Sequence, residues 1–79
     1  MRKYLYEIRM NKGFSQRKVA RESGISYQHY SKIENGERGN KVSFLVVGRI
    51  AHVLEVPLEQ LFELEEAYQD SMEFNSENR

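Results

Sequence analysis

The chain has 79 residues, enough for one small domain, so its stability has to come from a single compact core. Charged residues make up 30% of the sequence and apolar residues 39%, which is typical of a globular chain and not of a disordered one. Cysteine is absent, which excludes disulfides and thiolate metal sites, and no apolar run approaches a membrane span or a signal peptide, so we expect a cytoplasmic protein.

The spacing of apolar residues predicts an all-α fold of five helices, and the first three have clear boundaries. Helix one is predicted over residues 3–11 and helix two over residues 15–23, which begins at a serine that can cap it. Ser26 is placed to cap helix three, which runs to Asn35. Gly36 ends this helix because glycine adopts positive φ angles without steric cost.

The second half of the chain is predicted to hold a loop over residues 37–42 and two further helices. Helix four begins behind Ser43, and its expected core face follows the helical spacing rule. Helix five is expected to be short, to have Pro57 at or just before its first turn, and to end near Phe62. The expected core face of helix four consists of Phe44, Val47, Ile50, Ala51 and Leu54.

The predicted helical domain covers residues 1–63, and residues 64–79 form an acidic C-terminal extension. Within the extension, Leu64, Tyr68 and Met72 are spaced for one helical face. The pattern leaves two alternatives open, a helix or a disordered tail. We interpret the acidic character as a contribution to solubility, with a partner protein that binds this region as the alternative.

The net charge of zero hides a division of charge along the chain. Residues 1–41 contain ten Lys and Arg residues against four Glu, a net charge of +6, and the remaining residues carry −6. A basic half that contains helices two and three indicates a surface for a polyanion. The acidic end is expected to have a different role.

Helices two and three are predicted to form a helix-turn-helix unit, in which the second helix enters the major groove of DNA. Gly24 supplies the tight turn and Ile25 a buried plug. If Tyr30 and Ile33 anchor helix three to the core, its other face is polar and aromatic. Glutamine bonds adenine in bidentate fashion, lysine favours guanine acceptors, and a tyrosine ring meets a thymine methyl. The predicted base readers are therefore Tyr27, Gln28, Ser31 and Lys32, with His29 at the margin of this face.

A family resemblance is carried by the run EIRMNKGFSQRKVARESGISYQHYSKIENGERG and by the later run FLVVGRIAHVLEVPLEQLF. These runs resemble the Cro-like phage-repressor helix-turn-helix family, also called the xenobiotic-response-element (XRE) family. The resemblance covers residues 4–62 and implies a compact five-helix, repressor-like DNA-binding domain. The separated motifs that agree are Ile8-Arg9, Gly13-Phe14-Ser15-Gln16, Val19-Ala20, Gly24-Ile25, Ile33-Glu34-Asn35-Gly36, and Leu54 with Val56.

The resemblance also implies roles for individual residues. Gln16, at the start of helix two, would hold a DNA phosphate and brace the recognition helix. Arg9 and Glu34 would form a structural ion pair between helices one and three. Base readers and phosphate-binding residues should behave differently on mutation, because phosphate contacts fix register without reading sequence. The predicted phosphate-binding residues are Gln16, Arg17, His29, Asn35, Arg38 and Lys41.

Three apolar residues of helix four, Leu45, Val46 and Val53, stand where the family usually has polar ones, which indicates a protein interface. Because one such domain makes few base contacts, we expect a homodimer on a palindromic operator with half-sites about one turn, roughly 34 Å, apart. The candidate dimer surface consists of Leu45, Val46, Val53, Leu58, Leu61, Leu64 and Tyr68, with Met72 continuing its stripe.

The sequence thus favours a transcriptional regulator that binds double-stranded DNA, and a repressor in particular. The alternative is a protein-interaction module, such as an antitoxin or a switch component, that keeps the helix pair as a scaffold. No enzyme is expected, because glycine-rich phosphate loops and nucleophile motifs are missing from the sequence. No cofactor, metal or membrane partner is expected either, since His29 and His52 lie on separate predicted helices without metal-ligand spacing.

Overall fold

The computed structural model describes residues 1–37 and 42–77, with the backbone alone over residues 72–77. Within these residues the chain forms five α-helices and no strand, so the predicted all-α fold is confirmed. No helix of this described part combines the length and the apolar composition that a membrane crossing needs. The helices are α1 (Lys3–Lys12), α2 (Gln16–Ser23), α3 (Tyr27–Asn35), α4 (Phe44–Leu54) and α5 (Leu58–Glu77).

Local sequence signals set the ends of these helices. The hydroxyl oxygens of Ser15, Ser26 and Ser43 each accept a hydrogen bond from the backbone N–H three residues on, at 3.0, 3.0 and 3.2 Å. At its C-terminal end α3 stops at Gly36, whose φ is 67°. α4 instead stops at Glu55, whose φ of 57° is left-handed and costs a residue other than glycine about 1 kcal/mol.

Apolar side chains from all five helices form the core, and α4 lies at its centre because it packs on both α2 and α5. Tyr30 and Ile33, the predicted anchors of α3, are buried in it. The buried apolar residues are Leu5, Val19, Ala20, Tyr30, Ile33, Val47, Ile50, Ala51, Leu54 and Leu61.

Two apolar residues differ from their predictions in burial, since one expected in the core is exposed and one expected at the surface is buried. Phe44 was expected in the core and is 70% exposed, because it lies in the first turn of α4, where its ring meets only the edge of the core at Phe62. The centroids of the two rings are 5.5 Å apart. Leu61 was a candidate for the dimer surface and is 2% exposed, so it belongs to the core and that prediction was wrong.

α5 is one continuous helix of 20 residues and crosses the predicted domain end at residue 63 without a break. The boundary at residue 63 therefore coincides with a change of composition and not with a helix end. One side of α5 carries an acidic row of exposed side chains whose spacing places them on one helical face. This acidic row consists of Glu59, Glu63, Glu66 and Asp70, and the side chain of Met72 lies outside the described residues.

Arg9 of α1 and Glu34 of α3 form a buried ion pair. The Arg9 Nε and Nη2 atoms donate hydrogen bonds to the two carboxylate oxygens at 2.9 and 2.8 Å, and Nη1 donates to the carbonyl oxygen of Phe14 at 2.8 Å. Glu34 is 0% exposed and Arg9 is 7% exposed. This bidentate geometry satisfies both charged groups where water cannot reach them.

We expect Arg9→Ala to lower the free energy of unfolding by about 3 to 5 kcal/mol, because it leaves the buried Glu34 carboxylate without a partner. Urea unfolding followed by circular dichroism measures the change. Lys18→Ala is the matched control, since it breaks an exposed ion pair with Glu22 (3.8 Å) and should cost less than about 1 kcal/mol. Equal effects of the two substitutions would contradict the importance of the buried pair.

Candidate DNA interface

α2 and α3 are joined by a tight turn that the sequence dictates locally. Gly24 adopts a left-handed φ of 74°, and the N–H of Ile25 donates to the carbonyl oxygen of Ala20 at 3.0 Å, which closes the end of α2. Ser26 follows directly and caps α3. The two helices pack against each other, and the buried residues Val19 of α2 and Tyr30 of α3 both belong to the core.

α3 has a buried face and an open face. Tyr30, Ile33 and Glu34 point into the protein, and on the open face Gln28 and Lys32 are exposed. These two lie one helical turn apart and form a row beside a second row of two half-buried residues. All four predicted base readers therefore share the side of α3 that the core leaves uncovered. The second row consists of Tyr27 and Ser31.

Tyr27 is held by a residue of α2. The guanidinium carbon of Arg17 lies 4.3 Å from the centroid of the Tyr27 ring, within the range of a cation–π contact. The contact places a predicted phosphate-binding residue directly against a predicted base reader. It also favours this orientation of the Tyr27 ring, since the contact is lost when the ring turns away.

The other predicted phosphate-binding residues are spread around this face. Gln16 is the first residue of α2, where free backbone N–H groups favour an anion. His29 is half-buried, and Asn35 is exposed and donates a hydrogen bond to the Ser31 hydroxyl at 3.4 Å. Two of the predicted residues, Arg38 and Lys41, lie outside the described residues.

One buried contact was missed by the sequence prediction, and it lies at the C-terminal end of α3. Arg2 is 1% exposed, and its Nη1 donates to the carbonyl oxygen of Ile33 at 2.6 Å. Its Nε and Nη2 atoms donate to the carboxylate of Glu65 in α5 at 2.8 and 2.9 Å. No sequence signal links two residues so far apart along the chain, and Arg2 had been read only as part of the basic half.

Glu65 is held by three side chains. It accepts hydrogen bonds from Arg2, from the hydroxyl of Tyr4, and from the amide of Gln69 at 2.8 Å. Burial on its own would raise the pKa of Glu65, but the hydrogen bonds and the charge of Arg2 outweigh it and hold the pKa below its ordinary value. The carboxylate is therefore ionised at neutral pH. We name Arg2 and Glu65 the α3–α5 clamp.

The open face of α3 carries uncharged hydrogen-bonding groups and one lysine. Across the described residues, no three or more His, Asp, Glu or Cys side chains gather in a way that would hold a metal ion. His29 and His52 lie on different helices, α3 and α4. The groups on the open face are hydrogen-bond donors and acceptors, which suit base edges and phosphate oxygens.

Comparison with known proteins agrees with this geometry. A family model described as helix-turn-helix matches residues 5–61, which is most of the chain. The chain belongs to the XRE family of helix-turn-helix DNA-binding domains. The resemblance seen in the sequence is thereby confirmed.

A relative of this XRE domain is the uncharacterized HTH-type transcriptional regulator YqaF of Bacillus subtilis strain 168. The two are 43% identical over 54 residues, which is 68% of this chain and 68% of YqaF. The part matched by the XRE family model contains α1 to α4 and only the first turn of α5. Arg2 and Glu65 both lie outside that part, one on each side of it.

Removal of the cap of the XRE recognition helix should weaken the domain measurably. We expect Ser26→Ala to cost about 1 kcal/mol of unfolding free energy, because the His29 N–H loses its acceptor. Ser26→Asp should retain nearly all of the stability, since its carboxylate can accept the same bond. Thermal unfolding of the three proteins measures this, and an equal loss in both variants would show that the cap is not the cause.

Proposed function

We propose that the protein is a sequence-specific transcriptional regulator, a repressor that acts as a homodimer on a palindromic DNA operator. The observation that carries the proposal is the open face of α3, where Gln28 and Lys32 are exposed while the same helix is anchored through Tyr30 and Ile33. A short helix anchored in this way projects base-reading groups while the core limits its movement. Membership of the XRE family and the name of the relative YqaF support the same function.

In this proposal α2 and α3 contact different parts of the DNA. Tyr27, Gln28, Ser31 and Lys32 on α3 read base edges, while Gln16 and Arg17 at the start of α2 hold phosphates. Asn35 and His29 flank the readers, and Arg38 and Lys41 retain a phosphate role on sequence grounds alone. The contact between Arg17 and Tyr27 joins the two groups, so an approach that seats α2 on the phosphates also brings α3 to the bases.

The proposed dimer surface lies where α4 and α5 begin. Phe44 and Leu45 are 70% and 59% exposed, and Leu58 is 36% exposed. Burial of these exposed apolar side chains against another protein surface would be favourable. A second copy of the chain would bury them and would also bring a second α3 to the operator. Tyr68, predicted for this surface, instead covers the Arg2 guanidinium at 4.6 Å. The half-buried members of the surface are Val46, Val53, Phe62 and Leu64.

Repression is the regulatory role that requires the fewest contacts beyond DNA binding. A dimer bound to an operator that overlaps a promoter excludes RNA polymerase by occupancy, without a further contact. A promoter-reporter assay with the selected operator placed over or upstream of the promoter tests this role. Loss of transcription supports repression, and a gain would identify an activator.

A second candidate, a protein-interaction module, is favoured by one observation. A groove of about 250 Å³ adjoins Leu45, and its walls expose mainly apolar atoms. Salt separates the two functions, because DNA binding through phosphates weakens steeply with added salt and an apolar interface responds little. The groove is lined by Glu22, Phe44, Leu45, Gly48, Arg49 and His52.

The base reader Gln28 and the phosphate candidate Lys41 should respond differently to truncation. After selection of bound duplexes from a random library, Gln28→Ala should relax preference at one or two base pairs and cost about 1 to 3 kcal/mol on the preferred operator. Lys41→Ala should weaken all sequences alike and reduce the salt slope by about one. A uniform loss of affinity in both variants would contradict the division of roles.

The proposed dimer should dissociate when a charge enters its surface. Leu45→Glu is expected to give a monomer in sedimentation equilibrium and to lose affinity for the full operator while keeping affinity for a single half-site. Asn11→Glu is the matched control, because it places the same charge at an exposed residue of α1 that is not part of the proposed surface. A wild-type protein that is monomeric both free and on its operator would contradict the homodimer.

A further inference from the structure

The C-terminal end of α3 is held from outside the helix. The last carbonyl groups of any helix lack partners within it. Here the side chain of Arg2 donates to the carbonyl oxygen of Ile33 at 2.6 Å, and the backbone N–H of Arg2 donates to that of Glu34 at 2.8 Å. A guanidinium at this position also complements the negative end of the helix dipole. The recognition helix is thus fixed at the end opposite to its serine cap.

Arg2 is in turn fixed by α5. Its guanidinium makes two parallel hydrogen bonds to Glu65, and the Tyr68 ring lies 4.6 Å from it. Bidentate geometry leaves a guanidinium little freedom to rotate. Arg2 therefore links α3 to α5, and its burial to 1% exposure keeps it from contact with DNA.

The side chain of Tyr68 in α5 also reaches the end of α3 beside this link. A Cβ atom added to Gly36 would overlap the hydroxyl of Tyr68. Side chains of α5 therefore contact the end of α3 at two points, Arg2 through Glu65 and Gly36 through Tyr68.

We propose that Arg2 is a positioning residue for sequence recognition, which sets the orientation of α3 because Glu65 fixes it to α5. This inference rests on the proposed function, since it concerns how α3 reads bases. The phosphate candidates Gln16 and Arg17 lie on α2, which the clamp does not contact, whereas His29 and Asn35 lie on α3 with the base readers. Loss of the clamp should therefore lower affinity for the preferred operator more than affinity for unrelated DNA.

The test compares Glu65→Gln with Glu66→Gln. Both substitutions remove one negative charge from neighbouring positions of α5, but Glu66 is exposed and lies outside the clamp. Affinities for the selected operator and for an unrelated duplex are measured at pH 7 and at a temperature where unfolding curves show every protein fully folded. Relative to the wild-type protein, the ratio of operator affinity to unrelated-DNA affinity should decrease by about twofold to thirtyfold in Glu65→Gln. The ratio should stay unchanged in Glu66→Gln.

A second variant keeps the test decisive if Glu65→Gln does not fold. Arg2→Met combined with Glu65→Leu removes both charges and fills their volume with apolar atoms, so no buried charge is left without a partner. The same fall in the affinity ratio is expected, because the link from α5 to the carbonyl oxygen of Ile33 is lost, while the N–H of Gly36 still donates to that oxygen at 3.1 Å and the fold remains.

Two results would overturn the positioning role. One is an affinity ratio that is the same in the clamp variants, in Glu66→Gln and in the wild-type protein. The other is a loss of operator and unrelated-DNA affinity in equal proportion, which indicates a structural role only. A wild-type protein with no sequence preference overturns the proposed function and this inference with it. An intact wild-type preference with an unchanged ratio in the variants overturns this inference alone.

Discussion

The ion pair between Arg9 and Glu34 is the interaction on which the recognition helix depends. It is completely satisfied and almost inaccessible to water, and it joins α1 to the part of α3 that faces the core. The pair disfavours positions of α3 that break it, because each of them would leave a buried charge without a partner. The open face of α3 is a consequence, since the helix can turn only one side outward.

Three contacts, each from a different part of the chain, hold α3 in position. Ser26 caps its beginning from the turn, Glu34 ties its buried face to α1, and Arg2 holds its end against α5. Because α5 also begins with the exposed Leu58, the helix that would meet a second subunit is mechanically joined to the helix that would read DNA. In the proposed dimer, assembly and base recognition would therefore depend on the same helix, α5.

The sequence predicted what depends on neighbouring residues and missed what depends on distant ones. Serine caps and glycine ends are local, so the boundaries of α2 and α3 were predicted almost to the residue. Glu55 ends α4 with a positive φ, and glutamate is not a residue type from which a positive φ is predicted. The exposure of Phe44 depends on where α5 packs against α4, which is a contact between distant parts of the sequence. The clamp joins residues 63 positions apart, and the Arg9–Glu34 pair was accessible only through a family resemblance.

The acidic row on α5 and the basic first half of the chain would respond in opposite ways to the negative electrostatic potential around DNA. The chain is neutral overall, yet the part of the sequence that contains α1 to α3 is net basic and the part that contains α5 is net acidic. In the proposed complex, the phosphates of a duplex would attract the basic part and repel α5, which favours an approach with α3 toward the DNA. Collisions would then begin in the productive orientation, and added salt would shorten the distance over which this alignment acts.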